Sequence, residues 1–297
     1  LYDNRKRVTR PMMRKDGKLV EVSWDEALAA VAAKAKKGSV LGLAASAVTN
    51  EALAAFAALF KKVGGKAGRI EPAAPALGYG KPATVRDILD ADYIVVAGAD
   101  PLSYQRVVGY FIKRAADNGA KVALISDTDN GLSGCAELCV SYAEAGKVAE
   151  AAAKAKKVVV VYSLGLKAEA VKGLKPLADK ALFLALDPAR NGKGAEAAGL
   201  APQAVEKADL LYCMLGEQAE EDGFAAKLDG AFIVVQASYD SPLVERADVV
   251  LPAPVWSEHS GHVTNLDGKV LPVNAVLSMP EGVREEAAVL EALTKML

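Results

Sequence analysis

Short runs of valine, isoleucine and leucine alternate along this chain with longer stretches in which alanine is mixed with lysine and glutamate. A strand that is apolar in every position is buried on both faces, as happens in parallel sheets covered by helices, so the alternation predicts an α/β fold. Strands are expected near 39–44, 92–97, 121–126, 157–162, 181–186, 209–214, 231–236 and 248–251. Helices are expected near 24–37, 49–63, 105–118, 144–156, 166–179, 218–228 and 283–297. Ser23, with Glu26 at capping-box spacing, starts the first helix, and Thr49-Asn50-Glu51 starts the second. Ahead of them, Asp16-Gly17 makes a turn beside an edge strand, and Trp24 is expected to be buried.

The two halves echo each other. Asp87 to Asp92 leading into Tyr93-Ile94-Val95-Val96 parallels Ala204 to Asp209 leading into Leu210-Leu211-Tyr212-Cys213. Gly119 to Ile125, followed by Cys135 to Val140, parallels Gly230 to Val235, followed by Arg246 to Val250. Repetition of one element order implies two doubly wound, mostly parallel-sheet lobes. The expected division is an amino-terminal segment of edge strands and first helix over 1–38, a first Rossmann-like lobe over 39–155 and a second over 156–297, the second carrying a closing loop and a terminal helix. The boundary is placed near 150–156, where an alanine- and lysine-rich helix with a solvated face gives way to Val158-Val159-Val160-Val161.

Composition narrows the partners. With 36 basic and 37 acidic residues the formal charge is -1, and 6% of residues are aromatic, which offers nucleic acid neither an attracting field nor a stacking platform. No apolar run approaches the roughly 18 residues that span a bilayer, and no signal sequence is evident, so the chain reads as cytoplasmic, without direct membrane insertion. Three cysteines, Cys135, Cys139 and Cys213, read as free thiols in apolar surroundings, two beside a strand and one inside another. A cubane iron–sulfur cluster needs more thiolates than this chain can gather in one place, so none is expected within it. The chain begins at Leu1 rather than Met and is read as a portion of a longer polypeptide.

In an open parallel sheet, ligands sit beyond the carboxyl ends of the strands. The tips that qualify are Ala97 to Pro101, Ser126 to Asp129, Ser163 to Gly165, Leu186 to Pro188 and Gln236 to Asp240, each of which also reads as ordinary turn chemistry. Glu258, His259 and His262 form a set with zinc-ligand chemistry, but Gly261 breaks any helix that would align the imidazoles, and no metal is expected there. Both histidines lie in one loop, and no G-x-S-x-G elbow or G-x-G-x-x-G fingerprint occurs, which disfavours a nucleophilic triad and an independent dehydrogenase. No catalytic, cofactor-binding or metal-ligating residue is therefore assigned.

Ala247-Asp248-Val249-Val250-Leu251-Pro252, followed by Glu258, Gly261, Asn265 and Gly268, resembles the closing segment of the molybdopterin oxidoreductase family. Arg7 to Gly17 with Ser23-Trp24-Asp25-Glu26-Ala27-Leu28 resembles that family's segment just after its iron–sulfur region, and further matches fall in order along nearly the whole chain. Within the family it looks most similar to the large iron–sulfur subunit of respiratory complex I and to related NADH-linked hydrogenase and formate dehydrogenase subunits. Two departures stand out. The loop that carries the metal ligand in active members here runs Arg69 to Gly80, with no thiol; Glu71 could offer an oxygen but reads as a surface residue. Asp127-Thr128-Asp129-Asn130 replaces the family's nucleotide-reading turn, and its carboxylates would repel a pyrophosphate.

The resemblance thus implies a scaffold in an NADH-dehydrogenase-type electron-transfer complex, without its own Mo or W ligand or cofactor. The iron–sulfur clusters would lie in a preceding segment or in partner subunits. Two alternatives stand beside it: a formate dehydrogenase-type catalytic subunit that keeps a pterin, with Glu71 as ligand, and a free-standing two-lobed protein binding a small anion. The loop from Gly261 to Gly268 is expected to be structural, with Glu258 bonded to backbone N–H groups, Gly261, Asn265 and Gly268 as residues that tolerate left-handed backbone, and His259 and His262 dispensable for stability.

Overall fold

A computed structural model of the chain describes residues 5–218 and 230–297. The chain divides into two compact units, one built from Leu1–Glu71 with Ala189–Leu297 and the other from Pro72–Pro188. The first unit opens with β1 (Met12–Lys15), β2 (Lys18–Glu21), α1 (Trp24–Ala35), β3 (Val40–Ala44), α2 (Asn50–Lys62) and β4 (Lys66–Arg69). The second unit then runs β5 (Lys81–Pro82), β6 (Tyr93–Ala97), α3 (Pro101–Tyr104), α4 (Arg106–Asp117), β7 (Lys121–Ile125), β8 (Leu138–Val140), α5 (Ala145–Ala152), β9 (Val158–Tyr162), α6 (Ala168–Leu174) and β10 (Ala181–Ala185). The chain returns to the first unit with α7 (Gly192–Ala197), β11 (Leu210–Gly216), β12 (Phe232–Ala237), α8 (Pro242–Arg246), β13 (Val249–Pro252), β14 (Gly261–Thr264), β15 (Val270–Val273) and α9 (Glu286–Met296).

Among the described residues, the first unit's sheet has the order β2-β1-β13-β12-β11-β3-β4, parallel from β13 to β4, with β1 antiparallel at its join. One face packs Phe56, Phe60 and Tyr212 with Leu28, Val31 and Leu293 from α1 and α9. The Phe56 and Phe60 centroids lie 4.6 Å apart, and Gly42 makes room for them, since a Cβ there would meet Phe60 at 2.6 Å. The other face buries Leu41, Leu43, Cys213, Val235 and Val250. Trp24 is buried as expected and donates its indole N–H to the Gly282 carbonyl at 2.8 Å. The second unit's sheet, β5-β10-β9-β6-β7-β8, is wholly parallel, and its core includes Tyr93, Val95, Val148, Val160 and Leu174.

All eight expected strands are present, and the doubly wound, mostly parallel architecture holds for both units. The helix expected at 218–228 lies almost entirely outside the described residues. Observed units and expected lobes differ. The boundary near 150–156 falls inside the second unit, because β9 pairs with β6 and β10 with β9. The segment 1–38 and the strand at 40–44 belong with residues beyond 189, because β1 pairs with β13 and β3 with β11. The order of elements repeats, but strands that are apolar on both faces carry no mark of which neighbour they will choose.

Candidate functional site

In each unit the carboxyl ends of the parallel strands meet where the strand order reverses, the place where such sheets bind ligands. In the second unit the reversal lies between β6 and β9. There Gly98 adopts φ +57°, and Gly165 donates its N–H to the Gly98 carbonyl at 3.1 Å. A Cβ on Gly98 would meet the Leu166 nitrogen at 2.2 Å, so two bare backbones close the crossing. Above it lies a cavity of 280 Å³ lined by residues of three of the expected tips, among them Asp100, Pro101, Ser163, Leu164, Leu186 and Pro188. Most of its side-chain polar groups are already engaged: Ser163 Oγ donates to the Leu186 carbonyl at 2.9 Å and Gln105 donates to that of Asp187 at 2.7 Å. Asp100 accepts from Ser103 at 2.6 Å through one oxygen, while its other oxygen is buried without a partner.

Asp127 is not the free anion that the sequence suggests. Lys167 lies 2.5 Å from its carboxylate and holds its carboxyl below the usual range. Asp129 is exposed.

In the first unit the order reverses between β3 and β11. Directly after β3, both Glu71 oxygens accept from the Ser46 N–H, at 3.0 and 3.2 Å. Glu71 is therefore half-buried and engaged, where the sequence reading made it a surface residue. At the last residue of β11, Gly216 adopts φ +55°, and a Cβ there would lie 3.6 Å from Glu286 Oε1, which puts that carboxylate at the sheet's carboxyl edge.

In the stretch from Glu258 to Gly268, Glu258, His259 and His262 each face a different charged partner. Glu258 accepts from the Val255 N–H at 3.0 Å, as expected, and also takes a two-pronged contact from Arg7 at 2.8 and 2.9 Å. Burial pushes the Glu258 carboxyl up, but the Arg7 and Val255 bonds outweigh it and hold it below its usual range. His262 is exposed, with Nδ1 2.6 Å from Glu51. His259 is buried, with Nδ1 3.9 Å from Glu286, and that carboxylate, with Glu285 beside it, raises the imidazole above its usual range. Burial and its neighbour Glu286 push Glu285 up in turn. The sequence-level trio of Glu258, His259 and His262 is thus not one cluster. His259 instead shares a site with Glu285 and Glu286, which read in sequence as ordinary acids at a helix start.

Gly261 to Thr264 forms β14, paired with β15 through a turn in which Asn265 Oδ1 accepts from Lys269 N at 2.9 Å. Thr264 N–H donates to Asn191 at 2.8 Å, and Asn191 donates to Asn50 at 3.0 Å, tying the hairpin to the start of α2. The cysteines are scattered. Cys213 is buried and Cys135 half-buried, its thiol pushed up by burial, but Cys139 is exposed, because β8 is an edge strand. Among the described residues no helix is long and apolar enough to cross a membrane.

The family model for molybdopterin oxidoreductase matches residues 7–148 and 136–296. NADH-quinone oxidoreductase subunit 3 of Thermus thermophilus is 30% identical over 92% of this chain and 42% of its own length. The F420-dependent formate dehydrogenase 2 subunit alpha of Methanococcus maripaludis is 29% identical over 40% of this chain and 20% of its own. The chain spans less than half the length of either relative. Among solved structures, a chain of the formyltransferase/hydrolase complex from Methylorubrum extorquens superposes with a TM-score of 0.73, covering 96% of this chain and 98% of that one at 18% identity, which shows a shared fold.

Proposed function

Because this chain belongs to the molybdopterin oxidoreductase family, we propose that it serves as a scaffold within an electron-transfer assembly of the NADH-dehydrogenase type and holds no molybdenum or tungsten of its own. The observation that carries the reading is Glu71. It is the single carboxylate of the loop from Arg69 to Gly80 that would face a metal, and both its oxygens are turned onto the Ser46 amide, while the loop's other side-chain oxygen, the Tyr79 hydroxyl, is bonded to the Val171 carbonyl at 2.6 Å. A high-valent Mo or W centre on dithiolene sulfurs ordinarily recruits a soft thiolate, and this loop has none.

The pterin nucleotide fits no better. Its pyrophosphate calls for unspent backbone amides or cations at a strand end. In the first unit Glu71 already occupies the Ser46 amide, and Glu286 adds a second carboxylate. In the second unit the residues lining the cavity include Asp100 and no lysine or arginine, and Pro101 has no N–H to give. The work left to the chain is spatial. Within each unit, a packed and mostly parallel sheet offers neighbouring subunits, and the clusters they carry, a fixed surface to sit on.

The test is elemental analysis and mass spectrometry of acid-released pterin on the full chain purified from a host that makes the cofactor. Both should fall far below stoichiometry, and one Mo or W per chain would overturn the reading. Tagged chain recovered from its native cell should bring iron–sulfur proteins with it. Recovery of the chain alone would count against the assembly role.

A further inference from the structure

We propose that His259, Glu285 and Glu286 form a binding site for a divalent transition-metal ion of the zinc class. One nitrogen and two carboxylates, each able to offer a ligand atom, lie within 4.8 Å of one another. His259 leads into β14, and Glu285 and Glu286 stand at the start of α9, so the residues reach one point from different elements. This inference does not rest on the scaffold reading.

Glu286 is 1% exposed and neither of its oxygens has a hydrogen-bond partner, nor has Nδ1 of His259. A carboxylate that deep is normally satisfied by donors or by a cation. The adjoining residue shows what a closed ion pair looks like, with Arg7 on Glu258 at 2.8 Å. His259 and Glu286 stop at 3.9 Å, too far for a hydrogen bond, and face each other across a gap. Ligand atoms bound to zinc at about 2.0–2.2 Å stand about 3.3–3.6 Å apart, so modest side-chain closure would complete the site. Charge points the same way. One imidazolium balances one of the two carboxylates, whereas a divalent ion on a neutral imidazole balances both. Three protein ligands leave one position for water.

The experiment uses the untagged full chain, stripped by chelation and titrated with Co²⁺, followed by its visible d–d absorption, then with Zn²⁺ by calorimetry. One ion per chain is expected, Zn²⁺ should displace Co²⁺, and the melting temperature should rise with Zn²⁺. Glu286→Gln and His259→Gln should weaken binding at least about 100-fold, since loss of mere supporting groups already costs 10–100-fold. Glu285→Gln, at the half-exposed position, serves if either variant fails to fold. His262→Ala, which removes an exposed imidazole, should bind as the parent does. The proposal is overturned if the folded parent binds no stoichiometric ion, if Glu285→Gln and Glu286→Gln bind as the parent does, or if His262→Ala abolishes binding.

Discussion

Glu258 is buried at 7% exposure and neutralised by a guanidinium 251 positions earlier, so Arg7 cannot be lost without stranding a charge. Arg7→Met should lower stability by about 2–4 kcal/mol, measured by urea denaturation, with little change in m-value. Gly261→Val is expected to cost about 1–3 kcal/mol, mainly through overpacking, because a Cβ there would lie 2.7 Å from Glu51 and 2.9 Å from Thr49. The two histidines now separate. His262→Ala removes an exposed contact to Glu51 and should fall within about 0.5 kcal/mol of the parent. His259→Ala leaves the buried Glu286 carboxylate beside Glu285 without its imidazole neighbour and should destabilise by more than that in the same urea series. The need for glycine at 261 was legible in the sequence, but its cause was not, because Thr49 and Glu51 come from a distant helix start. Glu286 gave no signal at all: an acid in a first helical turn looks the same whether it faces solvent or a sheet.

The apolar strands and the capped helices could be read from single segments, since burial on both faces and the Ser23 and Thr49 caps leave local marks. Elements that depend on a visitor could not. α7 carries two glycines and little propensity, and it forms where Gly194 leaves space for the side chains of Asn50 and Asn191, within 2.2 and 2.4 Å of where a Cβ would sit. β4 likewise forms where Gly68 admits the Ala201 to Gln203 segment. The hairpin of β14 and β15 turns through Asn265 to Lys269, longer than the tight turns that sequence betrays. The short helical turn Val85–Ile88 does carry its mark. The Asp87 carboxylate accepts from Thr84 N–H at 2.9 Å and hydroxyl at 2.7 Å, and these bonds hold it below the usual range. A depressed carboxyl stabilises above its unfolded value, near pH 4, and that contribution is lost as pH falls through the folded value. Asp87→Asn should therefore be less stable than the parent at pH 6, and the gap between their denaturation midpoints should narrow by pH 3.

At the scale of the molecule, sequence showed two lobes but drew their border in the wrong place, because the pairing of β3 with β11 leaves no trace in either strand. The second unit, Pro72–Pro188, has its own six-stranded sheet and its own core, so the excised segment should fold alone and unfold cooperatively, with near- and far-ultraviolet circular dichroism melting together. The interruption of the first unit sets a timetable as well as a map. A ribosome adding roughly 5–20 residues per second releases β3 on the order of ten seconds before β11 exists to pair with it. During that interval the second unit can be born complete, while the apolar edge of β3 waits for its neighbour. Chaperone occupancy on nascent chains should thus peak over the stretch between Glu71 and Leu210, and fall once β11 emerges.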